Sequence, residues 1–515
     1  MPVADPESQA MSKRSRRPTL PLGTYALALT ALVVVTATLV MGQRFGDRPI
    51  TIAGALIVSL AVFYLGCLTE RLRQRNPSST RPARSEKGID GKPVPRDVDL
   101  SDLIKRGPVK VDSWLIAPHV ENRVVLVTGA GGSIGSELCR QMVSFKPKRL
   151  LLLGHGENSL FAIDQELRVR FQFTNTNIIL ADVADGPRIR QVFANFRPHL
   201  VFHAAAHKHV PIIEENICEA VRNNIFGTHV LALAAAATGV AKFVMVSTDK
   251  AVKPTSIMGA TKRISEQICR SFERRTGTEF VSVRFGNVLG SRGSVIGIFR
   301  KQIEDGGPVT VTHPDMVRYF MTIPEAVALV LEAMAIGRDS QVFVMDMGQP
   351  VRVVELAESF VTLSGLRPYV DIDIVFTGIR PGEKLREEVL TTEERNIPTI
   401  NERLFVAQQL PVEYEKLALV LKEMDLEVRR SDVNKIVSCI RSLVPSFQPG
   451  AHLKNSESTS VESLDAPASS ESSSPTIYSN GHAAAAPAVE ITPVGGHSSS
   501  AAAVTLQSSI IDASH

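Results

Sequence analysis

Three glycines, at 129, 132 and 135 in the run Gly129-Ala-Gly-Gly-Ser-Ile-Gly135, have the spacing of a turn that holds a pyrophosphate. Glycine permits the tight turn and removes the Cβ that would block a phosphate. The apolar run Val124-Val-Leu-Val-Thr128 leads into it, and a helical pattern follows. The helix start then offers free N–H groups and the positive end of its dipole. A dinucleotide is the expected ligand, because the motif sits in strand–turn–helix context. The bland alternative is a glycine loop with no ligand. The end of the second strand, Leu153-Gly-His-Gly-Glu157-Asn158, is where the adenosine ribose is read. No acidic residue stands directly at that strand end and no arginine follows, so NAD+ and NADP+ are both open, with Glu157 the residue placed toward the ribose. Asp182-Val183 follows the third strand. It has two readings, an adenine contact or a helix N-cap by Asp182 or Asp185.

The elements that must position this turn begin at Arg123. Short β-rich runs at 124–128, 149–153, 177–180, 200–203, 242–247 and 280–284 alternate with helical stretches such as 135–144 and 218–237. Such alternation predicts an α/β fold, a Rossmann-type doubly wound parallel sheet covered on both faces. This domain is expected over 121–410, with a smaller substrate-binding part toward its C-terminal end. A helical segment follows over 411–447, its helix at 413–444. The Ser/Ala-rich tail, 448–515, lacks the large apolar residues needed for a core and is expected to be disordered.

Ahead of the domain, residues 22–41 and 50–68 are apolar and uncharged, each about the ~20 residues needed to cross a bilayer. They predict a transmembrane hairpin over 22–68, joined to the domain by a polar linker, 69–120. Lys13, Arg14, Arg16 and Arg17 precede it within a basic stretch, 1–21, and Arg71, Arg73 and Arg75 follow it. That bias predicts both ends in the cytoplasm and a multi-pass protein of the inner membrane, with the lipid bilayer as a partner. A net charge of +4 over 515 residues gives no support to nucleic-acid binding. Five scattered cysteines have neither metal nor redox spacing. His207-Lys-His209 lacks a third ligand at suitable spacing, so no metal is expected; His203 is read as core.

Several longer strings appear in order: HAAAHKHVPIIEEN (203–216), NNIFGT (223–228), STDKAVKPTSIMGATKR (247–263), RFGNVLGSRGSV (284–295), HPDMVRYFMTIPEA (313–326) and RPGEKL (380–385). With the glycine turn, they resemble the extended short-chain dehydrogenase/reductase superfamily. More narrowly, they resemble its membrane-associated UDP-N-acetylhexosamine 4,6-dehydratases of capsule and surface-polysaccharide biosynthesis. The superfamily uses Tyr-x-x-x-Lys. The lysine is present as Lys262, but Met258 stands at the tyrosine position. A thioether has no proton to exchange. The acid–base work then falls to Asp249 and Lys250, the pair to which the resemblance also points.

The resemblance implies a recycled NAD+ or NADP+ and an internal redox reaction on UDP-N-acetylglucosamine, giving a UDP-4-keto-6-deoxy sugar. Asp249 is expected to protonate the departing C6 hydroxyl. Lys250 is expected to act at C5, its pKa lowered from ~10.4 by burial, Lys262 and the nicotinamide. Thr248 or Ser247 is expected on the C4 oxygen. Ser133, Ile134, Ala204 and Ala205 join the glycines on the dinucleotide. Lys208, Asn224, Arg284, Asn287, Ser294, Arg318, Arg380 and Glu383 are implied on the nucleotide-sugar side, arginine suiting a diphosphate through its planar fork. A homo-oligomer is implied as well. The rival readings are a C4 or C5 epimerase on the same fold and a dinucleotide-binding scaffold without turnover.

Overall fold

The computed structural model describes residues 103–104 and 112–450, apart from 273–274, 339, 389–393, 395 and 410. These residues belong to the first of two compact units, Met1–Glu457. The expected hairpin at 22–68 and the tail beyond 450 lie outside the described residues. Among the described residues no helix is long and apolar enough to cross a membrane. The longest, Tyr414–Arg430, has 17 residues and charge along its length. At 1.5 Å per residue it reaches about 25 Å, short of a ~30 Å bilayer core. This corrects the expected inner-membrane location, which no described helix supports.

A nine-stranded sheet forms the frame: β1 (Val124–Thr128), β2 (Arg149–Gly154), β3 (Thr176–Leu180), β4 (Leu200–His203), β5 (Lys242–Val246), β6 (Glu279–Arg284), β7 (Gln341–Met345), β8 (Asn396–Pro398) and β9 (Leu404–Ala407). Their spatial order is β8-β9-β7-β6-β5-β4-β1-β2-β3. From β3 to β7 every pairing is parallel; β9 pairs antiparallel with β7 and β8. This is the Rossmann order, with the chain reversing direction across the sheet between β1 and β4. Alternate strand residues enter opposite cores. Leu126, Leu151, Val201 and Phe243 pack on one face, and Val125, Leu150, Phe202 and Val244 on the other. Burying each such side chain stabilises by ~1.5–3 kcal/mol, so both faces must be covered by helices.

A smaller part carries its own core. Phe299 of the helix Val295–Glu304, Phe360 of the helix Val353–Leu363 and Val309 meet there.

Two elements differ from the sequence expectation. The stretch expected as one helix over 218–237 is an α-helix Ile217–Ala220, a π-helix Val221–Phe226 and an α-helix Gly227–Thr238. The stretch expected as one helix over 413–444 is two helices, Tyr414–Arg430 and Val433–Leu443. Ser431 breaks them with φ 57°, and Asp432 caps the second by accepting from the Lys435 amide at 3.1 Å. Both helices bury Met424 and Ile440 in the core that holds Ile264 and Ile268 of the helix Ile257–Ser271. Gln267 Nε2 on that helix donates to the Leu443 carbonyl at 2.9 Å.

Candidate active site

β1 ends in Gly129, whose φ is +65°. A Cβ there would sit 2.8 Å from the Ala205 amide nitrogen, so the ends of β1 and β4 touch backbone to backbone. A Cβ on Gly135 would overlap the Gly129 carbonyl group. The helix Ser133–Val143 opens at Gly132 with no side-chain cap, leaving Ser133 and Ile134 at a bare helix start facing this turn. Arg292 crosses the turn from the other side. Its amide donates to Ser133 Oγ at 3.0 Å and its guanidinium donates to the Gly131 carbonyl.

Beneath the turn His203 is buried between Thr128 Oγ1 at 2.8 Å and Thr228 Oγ1 at 3.0 Å. Burial, then the nearby Lys262 charge, lowers its pKa to about 3, so it stays neutral and acts as packing. Lys262 is itself buried on the helix Ile257–Ser271, and burial lowers its pKa to about 8. A cradle that a Cβ would fill, an uncapped helix start and a buried lysine fit a dinucleotide.

Asp182 lies just past β3, where its carboxylate accepts from the Ala184 amide at 2.9 Å and pairs with Arg222 at 3.0 Å. Asp185, not Asp182, caps the following helix, accepting from the Arg188 amide at 3.1 Å. Val183 is buried against Gly227, where a Cβ would meet it at 2.6 Å. Glu157 opens the helix after β2.

β5 delivers the acid–base pair. After Ser247 and Thr248 the chain makes a 3₁₀ turn, Asp249–Ala251, before the helix that carries Met258 and Lys262. Asp249 is fully buried. Its Oδ1 accepts from Thr248 Oγ1 and from Lys250 Nζ, each at 3.0 Å. Its Oδ2 has no hydrogen-bond partner. Lys250 Nζ also donates to Asn287 Oδ1 at 3.0 Å and lies 3.7 Å from Glu387 Oε1. Ser247, the other residue expected on the C4 oxygen, is buried, and its hydroxyl donates to Glu266 at 2.6 Å. Gly259, next to Met258, lies against the Lys250 carbonyl, with a Cβ there 3.0 Å from the carbonyl carbon.

The expectation of a lowered Lys250 pKa is reversed. Burial is the largest single influence and favours the neutral amine, but Asp249 and Glu387 together outweigh it, and the pKa lies above the ordinary 10.5. Lys250 stands between two carboxylates, which favour its ammonium form.

Beside the pair lies a cavity of about 130 Å³, lined among others by Lys250, Asn287, Arg318, Glu383, Lys384 and Glu387. Arg318 is fixed by donating to the Val317 carbonyl at 2.8 Å and to the Leu385 carbonyl at 3.3 Å. Arg380, exposed, pairs with Glu383 at 3.4 Å. Lys208 Nζ donates to Ser291 Oγ at 3.3 Å, and burial together with the charges of Arg292 and Lys250 lowers its pKa. Ser294 stands just before the helix Val295–Glu304 without capping it, its buried hydroxyl unpartnered. Glu387 was not signalled by the sequence. It follows the string 380–385 by two residues and belongs to no periodic pattern.

Two implied substrate residues stand elsewhere. Arg284 is fully buried and donates to Glu266 at 2.7 and 2.6 Å and to Glu394 at 2.8 and 3.1 Å. Its fork is filled by protein carboxylates and has none left for a diphosphate. Asn224, on the π-helix, spends its amide on the His207 backbone, at 2.9 and 3.1 Å, and on Thr261 at 3.0 Å. It shapes the loop that carries Lys208 without facing the cavity. Of the two histidines there, His207 meets Glu219 at 3.4 Å and the His209 ring lies against Gly293.

The family model for "Polysaccharide biosynthesis protein" matches residues 125–409. The capsular polysaccharide biosynthesis protein CapD of Staphylococcus aureus is 54% identical over 315 residues, which are 60% of this chain and 52% of that protein. The chain thus spans about half the length of that relative. The UDP-N-acetylglucosamine 4,6-dehydratase (inverting) of Campylobacter jejuni is 30% identical over 53% of this chain and 79% of its own. The UDP-glucose 4-epimerase of Rickettsia bellii is 32% identical with the same coverage of each. The residues matched by the family model are more than half of the chain, which belongs to the polysaccharide biosynthesis protein family.

Proposed function

We propose that this chain is a nucleotide-sugar 4,6-dehydratase that uses NAD to convert UDP-N-acetylglucosamine to a UDP-4-keto-6-deoxy sugar for surface polysaccharide synthesis. The observation that carries this reading is the Asp249–Lys250 pair after β5, with Asp249 fully buried and Lys250 lining the cavity, beside a helix with Met258 in place of a proton-bearing side chain. The bound cofactor supplies a hydride acceptor at sugar C4 and a hydride donor at C6. The turn at Gly129, Gly132 and Gly135 holds its pyrophosphate, and Lys262 holds its nicotinamide ribose. Ser133, Ile134, Ala204, Ala205 and Asp182-Val183 line the rest of its path. On the sugar-nucleotide side Lys208, Ser294, Arg318 and Arg380 face the phosphates, Asn287 the sugar and Glu383 the uridine ribose.

The chain's own groups then move protons. Thr248 hydrogen-bonds the C4 hydroxyl and hands its proton to Asp249 Oδ1, 3.0 Å away. The Lys250 ammonium protonates the departing C6 hydroxyl, which leaves as water. Asp249 returns its proton to Lys250 across their 3.0 Å hydrogen bond, and the pair ends as it began. This revises the expected assignment, in which Asp249 was the acid.

The epimerase reading shares the C4 oxidation, and the 32% identical epimerase favours keeping it in view. NMR of the product separates the two. A C6 methyl doublet supports dehydration, and an intact C6 hydroxymethyl rejects it. Asp249→Asn and Lys250→Ala, folded and cofactor-loaded, are each expected to lose turnover by on the order of 10²–10⁴-fold. Normal turnover by either removes the pair from the mechanism.

A further inference from the structure

Dehydration across C5–C6 needs a base for the C5 proton, and an ammonium cannot supply one. Asp249 is fully buried and takes up the C4 proton in the reading above, on which this inference rests. Among the described residues, one other carboxylate stands against Lys250 and lines the same cavity. Glu387 is buried, places Oε1 3.7 Å from Lys250 Nζ, and keeps Oε2 without a hydrogen-bond partner. Arg318 Nε lies 3.9 Å from its Oε1. The carboxylate thus has two cations within 4 Å of one oxygen, and its other oxygen is buried without a hydrogen-bond partner. Glu383, also on the cavity, is instead paired with Arg380.

We infer that Glu387 is the base that removes the C5 proton and later returns it. The C5–H bond breaks, its proton goes to Glu387 Oε2, and its electron pair forms the C5=C6 bond as the C6–O bond breaks. The C6 oxygen leaves as water with the Lys250 proton. After hydride reaches C6, Glu387 gives its proton back to C5, and no proton is gained or lost overall. Burial, with Asp249 adding to it and Lys250 opposing it, raises the Glu387 pKa above the usual carboxylate range. A carboxylate with a raised pKa is the stronger base at neutral pH.

The test is Glu387→Gln in the full chain, loaded with NAD and UDP-N-acetylglucosamine in deuterated water. Reduced-cofactor absorbance follows C4 oxidation, and NMR follows deuterium entering at C5. C4 oxidation is expected to stay within a small factor of wild type. C5 exchange and water loss are expected to fall on the order of 10²–10⁴-fold. Glu387→Asp, which keeps a carboxylate, is expected to recover part of the exchange. The acid limb of wild-type kcat/KM reports a base that must be ionised, so activity falls as pH drops through its pKa, and this limb shifts in Glu387→Asp. Wild-type C5 exchange in Glu387→Gln overturns the assignment, and so does a proportional fall of C4 oxidation and C5 exchange, the mark of a structural role. An intact C6 hydroxymethyl in the wild-type product is a separate result and overturns the dehydratase reading itself.

Discussion

At the scale of single residues, the same side-chain type does opposite work in this molecule. Arg318 and Arg380 border or approach the cavity, whereas Arg284 fills a closed pocket with Glu266 and Glu394. A buried charge of this kind is tolerated only while each partner is satisfied. Arg284→Lys keeps the charge and loses the fork. It is expected to lower stability in urea by about 1.5–3 kcal/mol, the worth of a lost charged hydrogen bond, and to leave KM for the sugar nucleotide unchanged. A raised KM with unchanged stability would restore Arg284 to the substrate. The reason it was misassigned is physical. Its carboxylates come from 18 and 110 residues away, and no string around position 284 announces them. The glycine turn was legible because all of its determinants are local. Glu387 was not, since its meaning lies wholly in the lysine it meets from a distant loop.

At the scale of elements, alternating apolar strands and helices made the parallel sheet readable: the six expected strands differ in bounds by a residue or so, while Gln341–Met345, Asn396–Pro398 and Leu404–Ala407 were not among them. The π-helix was not readable, because its side chains keep an ordinary helical pattern while the backbone bonds shift by one. The start of the helix Ile257–Ser271 gives the sharpest test at this scale. Replacing a helical glycine by alanine ordinarily stabilises by up to ~1 kcal/mol. Gly259→Ala is expected to do the reverse, because its Cβ would press on the Lys250 carbonyl and push the 3₁₀ turn aside. A fall in kcat out of proportion to any change in melting temperature is the expected signature. A stabilised variant with full activity would show that the turn has room to yield.

At the scale of the whole described unit, one core joins the sheet, the helix Ile257–Ser271 and the two C-terminal helices. Met424→Ala and Ile440→Ala each remove a fully buried side chain and are expected to cost ~2–5 kcal/mol. Because the core is shared, hydrogen exchange should find the C-terminal helices and the helix Ile257–Ser271 losing protection together in these variants. Independent loss would divide the core in two. The Gln267–Leu443 hydrogen bond spans 176 residues, and the Gln448 amide reaches back at 2.9 Å to the Pro254 carbonyl, just ahead of that helix. This gives the assembly an order in time. A ribosome finishes the phosphate turn and the strands around it well before it releases Glu387 or the helices that back the catalytic segment. The cavity wall that carries Glu387 is therefore made well after the turn at Gly129 to Gly135, and the helices that back Ile257–Ser271 come later still.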